Sequence, residues 1–344
     1  MGPAFVGLMA RNSWASRKDS PAPARASRPN MAGGPSDDRR SQHCMYGGDW
    51  RPSKSIIVSS SVVRLTQTYW AIVHMLTTIF HLHRVTANLL TQCSAGVIGL
   101  STAVRLQQDG YNVAIVAKDF PSPFEAVDAK ASINYTSQWG GAHNRWVIPA
   151  NETEERDHAM ALVTFQQMES LNKSNPEAGI TFMPGIEYLE NPPAQYRSLT
   201  EEKAKSLGLV EFRRLKPSEF PDDKVKWGCE YWTWCVNPMI YCSFLLRRFS
   251  WNGGKVFRRE ISNPREGFTI KGLADVRAVI NCSGVGFGDK DSFITRGQTC
   301  AVANYSPATV TRQNADGSWS FCVPRNFDGG TIVGGTKEPD NWDP

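Results

Sequence analysis

Ser94-Ala95-Gly96-Val97-Ile98-Gly99 follows the apolar run Asn88 to Cys93 and precedes a stretch that ends at Gly110. In a strand-to-helix turn that receives a dinucleotide, a first glycine allows the tight bend. A second lets the backbone approach the pyrophosphate, and a third lets helix and strand pack closely. The phosphates rest on the free N–H groups at the positive end of the helix. Here Gly96 and Gly99 fill the second and third positions, and Ser94 stands at the first. If that position needs a positive φ, serine costs roughly 1–2 kcal/mol there. Thr91, Gln92 and Cys93 also stand where such a strand usually runs on Val and Ile. Beyond the turn, Ile98, Ala103, Val104 and Leu106 recur at near-helical spacing, with Gly110 placed to close the helix. Tyr111 to Ala117 reads as a short buried strand, which gives βαβ order and a parallel sheet. Asp119, twenty residues past Gly99, can accept hydrogen bonds from a ribose hydroxyl. Lys118 beside it either offsets phosphate charge or is a solvated loop lysine. Alone, the turn is equally compatible with an ordinary glycine-containing βα connection.

Working outward, residues 151–172 read as a helix with Asn151 as cap, acids in its first turn, and Leu162, Phe165, Met168 and Leu171 on nearby faces. Residues 180–240 carry short strand-like runs broken by Pro and Gly. A helix is expected over 241–252, a strand over Lys255 to Ile261, and another over Ala278 to Cys282, ending at Ser283-Gly284. The alternation therefore resumes after an insertion. The expected fold class is α/β: a Rossmann-like dinucleotide-binding domain split in sequence, with a mostly antiparallel β domain inserted. Its first part covers 87–175 and its second 241–300, and the inserted domain takes 176–240 and 301–344.

Of the 344 residues, 41% are hydrophobic and 21% charged, an ordinary globular mix. The net charge of +5 belongs to residues 1–54, with nine Lys and Arg against four Asp and Glu; the other 290 residues hold 29 of each. A neutral body argues against a nucleic-acid partner. The eight cysteines show no CxxC spacing and no histidine at ligand spacing, so they read as scattered thiols of a reducing compartment and no metal site is expected. Residues 1–54 have a disorder-like composition with a faint transit-peptide character at Arg11, Arg17 and Lys18. Residues 69–82 are apolar over 14 positions, short of the ~20 a bilayer span needs. The sequon at Asn134 is read as chance, and residues 1–86 are expected to add nothing to the fold.

A second constellation, Tyr135-Thr-Ser-Gln-Trp-Gly-Gly-Ala-His-Asn-Arg145, removes side-chain bulk at Gly140, Gly141 and Ala142, as a close approach of backbone to ligand demands. Six segments then occur in one order: SAGVIGLSTAVRL (94–106), AKDFP (117–121), YTSQWGGAHNR (135–145), INCSGVG (280–286), RGQT (296–299) and VPRNFDGGTIVGGTKEPDNW (323–342). Together, from about Ala95 to Pro344, they resemble the D-amino-acid oxidase family, its fungal members above all. The resemblance implies FAD as cofactor, a D-amino acid and O2 as small-molecule partners, and a peroxisomal or cytoplasmic address without a membrane partner. It implies that Ala95, Gly96, Val97, Ile98 and Gly99 hold the pyrophosphate, with Lys118 and Asp119 by the ribose. Gly141, Ala142 and His143 line the flavin side, Val256 touches the adenine, and Ser283 with Gly284 borders the cofactor from the far half of the sheet. Two substrate-side tyrosines of the family fall at Phe321 and Lys337. No catalytic residue is carried over. The family's carboxylate-clamping arginine stands in a Gly-Leu-Arg-Pro setting for which this sequence has no counterpart up to Pro344, and Arg325 reads as pointing elsewhere. The accompanying expectation is that the chain as written does not turn over D-amino acids. Two other readings stay open here: an NAD(P)-dependent dehydrogenase, and a fragment without activity.

Overall fold

A computed structural model describes residues 57–61, 89–123, 126, 135–284, 287 and 293–341. These include no part of residues 1–56, the apolar stretch 69–82 or the sequon at Asn134.

The parallel sheet forms where the βαβ pattern places it. Strand β2 (Leu89–Cys93) leads into helix α1 (Val97–Gln108) and strand β3 (Asn112–Ala117). Leu100, Ala103 and Leu106 of α1 are wholly buried, and Gly110 takes a φ of 88° just past its end. Two later strands, β7 (Lys255–Arg258) and β8 (Ala278–Asn281), complete the order β7-β3-β2-β8, all parallel. Neighbours on opposite sides of β2 thus come from opposite ends of the sequence, so the crevice beyond Cys93 is the topological switch point at which open α/β sheets bind ligands. Strand β7 stops at Arg258, short of the expected Ile261. Arg259 N–H still donates to Ala117 O at 2.9 Å, but β3 ends there and offers no further partner.

The inserted residues build a larger mixed sheet. Its path is β1 (Ile57–Ser61), β9 (Thr295–Val302), β12 (Thr331–Gly334), β11 (Trp319–Pro324), β10 (Thr309–Gln313), β4 (Ile180–Leu189), β6 (Trp227–Val236) and β5 (Arg213–Arg214), with β13 (Glu338–Pro339) also on β9. Only β4 and β10 run parallel. Three expectations need correction here. Residues 180–240 are dominated not by several short runs but by two ten-residue strands, β4 and β6, paired along their whole length, with the two-residue β5 on the far edge of β6. The apparent breaker Gly185 belongs to the strand, because a Cβ there would lie 2.7 Å from the Tyr231 ring. The return to the large sheet begins at Thr295, earlier than residue 301, since β9 pairs with β12 and not with the parallel strands. Finally, Ile57–Ser61 lies within the stretch expected to add nothing, yet it pairs antiparallel with β9 as an edge strand.

Helix α2 (Glu152–Ser174) is started as expected: the Asn151 side chain accepts from Glu154 N–H at 3.0 Å, and Glu152, Glu154 and Glu155 sit at the positive end of the helix dipole. Short helices α3 (Ala194–Arg197) and α4 (Glu201–Ser206) follow β4, and α5 (Pro238–Trp251) follows β6 with Asn237 as cap. Gln107 of α1 donates to Phe249 O and Asn252 O at the end of α5, so the two helices are tied on one face of the parallel sheet. One apolar cluster runs continuously from α1 and β3 through Trp146, Phe165 and Trp227 to α5. Cys93, Cys229, Cys235, Cys242, Cys282, Cys300 and Cys322 are free thiols. Among the described residues no helix is long and apolar enough to cross a membrane, and no cluster of metal ligands forms.

Candidate cofactor and substrate site

The turn after β2 is built as its sequence suggests, with the strain located where glycine is missing. Ser94 holds a φ of 115°, its N–H donates to Val116 O at 3.0 Å, and its hydroxyl accepts from Gly96 N–H at 3.3 Å. Gly99 is required by packing. A Cβ there would lie 2.3 Å from Gln92 Nε2 and 2.4 Å from Ser94 O. Gly96 is required by what lies over the turn, since its Cβ would come 2.9 Å from Ser137 Oγ.

Ser137 belongs to the glycine loop of residues 135–145, and the structure shows how that loop is held. Tyr135 OH donates to Ala95 O at 2.6 Å, and Ser137 Oγ accepts from Val97 N–H at 2.9 Å. Trp139 is buried to 2% exposure and anchors the loop. From the large sheet, Arg325 donates through Nη2 to Gln138 O at 3.1 Å and to Gly140 O at 2.9 Å. Burial of that guanidinium without a carboxylate brings its pKa down to about 10. Arg325 thus holds the loop through two backbone carbonyls. Gly141 presses on Ile332, where a Cβ would stand 2.8 Å from the side chain, and His143 forms an antiparallel bridge with Cys235. The loop therefore joins the nucleotide turn to the face of the large sheet.

His143 Nδ1 is buried with no hydrogen-bond partner among the described residues. Burial, reinforced by the Arg145 charge, pushes its pKa down to about 4, so the ring is neutral at physiological pH. Arg145 itself pairs through Nε with Glu187 Oε1 at 3.1 Å and lies over the Trp319 ring at 4.3 Å. Burial opposes its charge, but the Glu187 carboxylate outweighs that and holds the guanidinium above its ordinary range. Register places Glu187 beside Thr311, and Thr311 beside Phe321, so all three share one face of the sheet with Trp319. Phe321 packs on Met183, Cys235 and Val323 on that same face.

The remaining expected residues sit around the carboxyl ends of the parallel strands. Lys118 and Asp119 directly follow β3, where Lys118 Nζ pairs with Glu260 at 3.0 Å, both side chains more than half exposed. This fits a solvated loop lysine, and the pair contributes little to stability. Val256 is exposed on β7, as a surface open to a planar ring would be. Ser283 donates its N–H and its hydroxyl to Asn281 Oδ1, at 2.9 and 2.7 Å, in the bend after β8 that Gly284 completes with a φ of 81°. Lys337 is apart from this group. It is exposed beside β13 and makes no hydrogen bond or ion pair among the described residues. Tyr135, Ser137 and Arg145 lie inside the quoted loop motif, but only folding shows which groups their polar atoms meet.

A tight glycine-containing bend at the start of α1, at the switch point and beneath a second glycine loop, fits a dinucleotide whose pyrophosphate lies at the helix N-terminus. Comparison with known proteins identifies the dinucleotide. Residues 95–344 match the family model described as FAD dependent oxidoreductase. The chain belongs to that family. It is 42% identical over 258 residues to a D-aspartate oxidase of Talaromyces thermophilus, covering 71% of this chain and 69% of that protein. It is 27% identical over 259 residues to a D-amino-acid oxidase of Schizosaccharomyces pombe, covering 72% of this chain and 69% of the other. Among solved structures, the fold is shared with FAD-bound L-alpha-glycerophosphate oxidase from Mycoplasma pneumoniae. There the TM-score is 0.51 at 15% identity, over 73% of this chain and 72% of that one. FAD is therefore the cofactor, which closes the NAD(P) reading, and the chain is an FAD-dependent amino-acid oxidase by family.

Proposed function

We propose that this enzyme oxidises D-amino acids. The substrate loses the hydride of its α-carbon and a proton from its amine, giving an imine that water hydrolyses to a 2-oxo acid and ammonia. Dioxygen takes the two electrons and two protons and leaves as hydrogen peroxide. FAD, when bound, supplies the two-electron acceptor between them. The observation that carries the reading is the 42% identity, over 258 residues, to a protein named D-aspartate oxidase.

In this reading the chain's residues bind and orient. The segment Ala95 to Gly99 would hold the pyrophosphate with those of its amides that the protein does not use, since Gly96 N–H is taken by Ser94 Oγ and Val97 N–H by Ser137 Oγ. Lys118 and Asp119 would lie toward the ribose, Val256 toward the adenine, and Ser283 on the far side of the switch point. Gly141, Ala142 and His143 would form the wall on the flavin side of bound FAD, and Phe321 would border the substrate. The test is peroxide formation by the purified, FAD-loaded chain with matched D- and L-amino acids. Peroxide from D-enantiomers alone supports the proposal, whereas turnover of L-amino acids or glycine with none of any D-amino acid overturns it.

A further inference from the structure

Arg145 is only partly used by the protein around it. Nε is spent on Glu187, and the Trp319 ring covers one face of the guanidinium. Among the described residues that is its one hydrogen bond, so Nη1 and Nη2 have no acceptor. The side chain is 24% exposed while Glu187 beneath it is at 0%, so the pair is anchored on one side and open on the other. Its open end borders the sheet face that carries Trp319 and Phe321, two residues apart on one strand and so roughly 7 Å from each other. The same loop, two residues earlier, presents His143, which is neutral. Arg145 is therefore the permanent cation of that wall.

We propose that the Nη fork of Arg145 receives the side-chain carboxylate of an acidic D-amino acid, making it a specificity-determining residue. This rests on the oxidase reading above and deepens it by naming the substrate class. A planar fork with two parallel N–H groups matches a carboxylate bidentately. Its position is fixed in advance by Glu187 and Trp319, so little ordering is lost on binding. A neutral side chain at this place leaves the fork desolvated and unpaired, and such a mismatch is what makes polar pockets selective. Glu187 has a second effect: its negative charge lowers the pull of Arg145 on an incoming anion, so removing it sharpens the attraction.

The experiment measures binding of succinate and of butyrate, equal in carbon number but differing by one carboxylate, to the FAD-loaded protein. Flavin absorbance changes and calorimetry are followed in parallel. Succinate is expected to bind at least about tenfold more tightly than butyrate. Arg145→Gln alone leaves a buried carboxylate without its partner, so the informative variant is Arg145→Gln with Glu187→Gln. It should lose that tenfold preference while retaining FAD and its butyrate affinity. Glu187→Gln alone should bind succinate more tightly than the parent, which a merely structural ion pair does not predict. Equal binding of the two ligands by the parent, or equal loss of both in the double variant, overturns the proposal. If dicarboxylate preference depends on Arg145 but no D-amino acid is oxidised, the oxidase reading alone fails. If neutral D-amino acids are oxidised and succinate has no advantage, this proposal alone fails.

Discussion

Ser94 carries a backbone conformation that serine tolerates poorly, and it does so at the position where the cofactor turn normally uses glycine. Its φ of 115° costs roughly 1–2 kcal/mol. Its hydroxyl returns part of that through a 3.3 Å bond to Gly96 N–H. Ser94→Gly is therefore expected to stabilise the chain by about 1 kcal/mol and to tighten FAD retention, measured by urea midpoint and by flavin release on dilution. Weaker retention in the variant would mean that the hydroxyl matters more than the strain. This conflict was legible from residue order alone, since a turn of this kind fixes its own dihedral demands. The environment of His143 was not, because its burial depends on Cys235 arriving from β6. Its pKa falls to about 4 in the fold from 6.5. The unfolded chain then takes up its proton first as pH drops, so this residue favours the folded state fully above 6.5 and less and less down to 4. The loss amounts to about 3 kcal/mol at most. Unfolding midpoints taken at pH 7 and pH 4.5 should differ less in His143→Asn than in the parent; an unchanged difference refutes the assignment.

The loop of residues 135–145 behaves as an element although it contains little regular structure. Its start is tied to the nucleotide turn by Tyr135 and Ser137, and its middle to the large sheet by Arg325. Arg325→Met removes a charged donor from two carbonyls, at a cost of about 2–3 kcal/mol. The predicted signature is faster FAD loss with the parallel sheet intact, whereas Arg325→Lys restores part of the retention. A variant with normal FAD release but broadly lowered stability argues that the contact is structural only. The sequence showed that this loop approaches a ligand, through its paired glycines. It did not show the strand geometry that supports it. Pro184 and Gly185 looked like breaks in short strands because their local propensity is poor, yet β4 persists for ten residues through its partners β6 and β10. Propensity is local, and the Tyr231 ring that requires Gly185 lies 46 residues away.

For the whole molecule, the split of the parallel sheet was readable because its pieces keep their βα punctuation on both sides of the insertion. Where the large sheet resumes was harder to see, since β9 is a polar strand whose side chains offer no clear alternation. The nine-stranded sheet carries ion pairs such as that of Arg312, which meets Asp222 at 2.6 Å and also Glu190. Truncating Arg312 to Ala should strand two carboxylates and cost about 3–5 kcal/mol, read as a lowered urea midpoint, while Arg312→Lys recovers part of it; no change in either variant counts against the network. The order β7-β3-β2-β8 has a consequence for synthesis. On the ribosome, β2 and β3 emerge early, but β8, which covers the other edge of β2, ends only at Asn281. At about 5–20 residues per second, the nascent chain waits on the order of 10–30 seconds between Ala117 and Asn281 with that edge unpaired. An open edge attracts strands from other chains, so chaperone engagement should be strongest in this interval. Chains arrested before β8 leaves the exit tunnel should fail to capture FAD, and those arrested well beyond Gly284 should succeed. Capture by the shorter set would show that the first βαβ unit suffices.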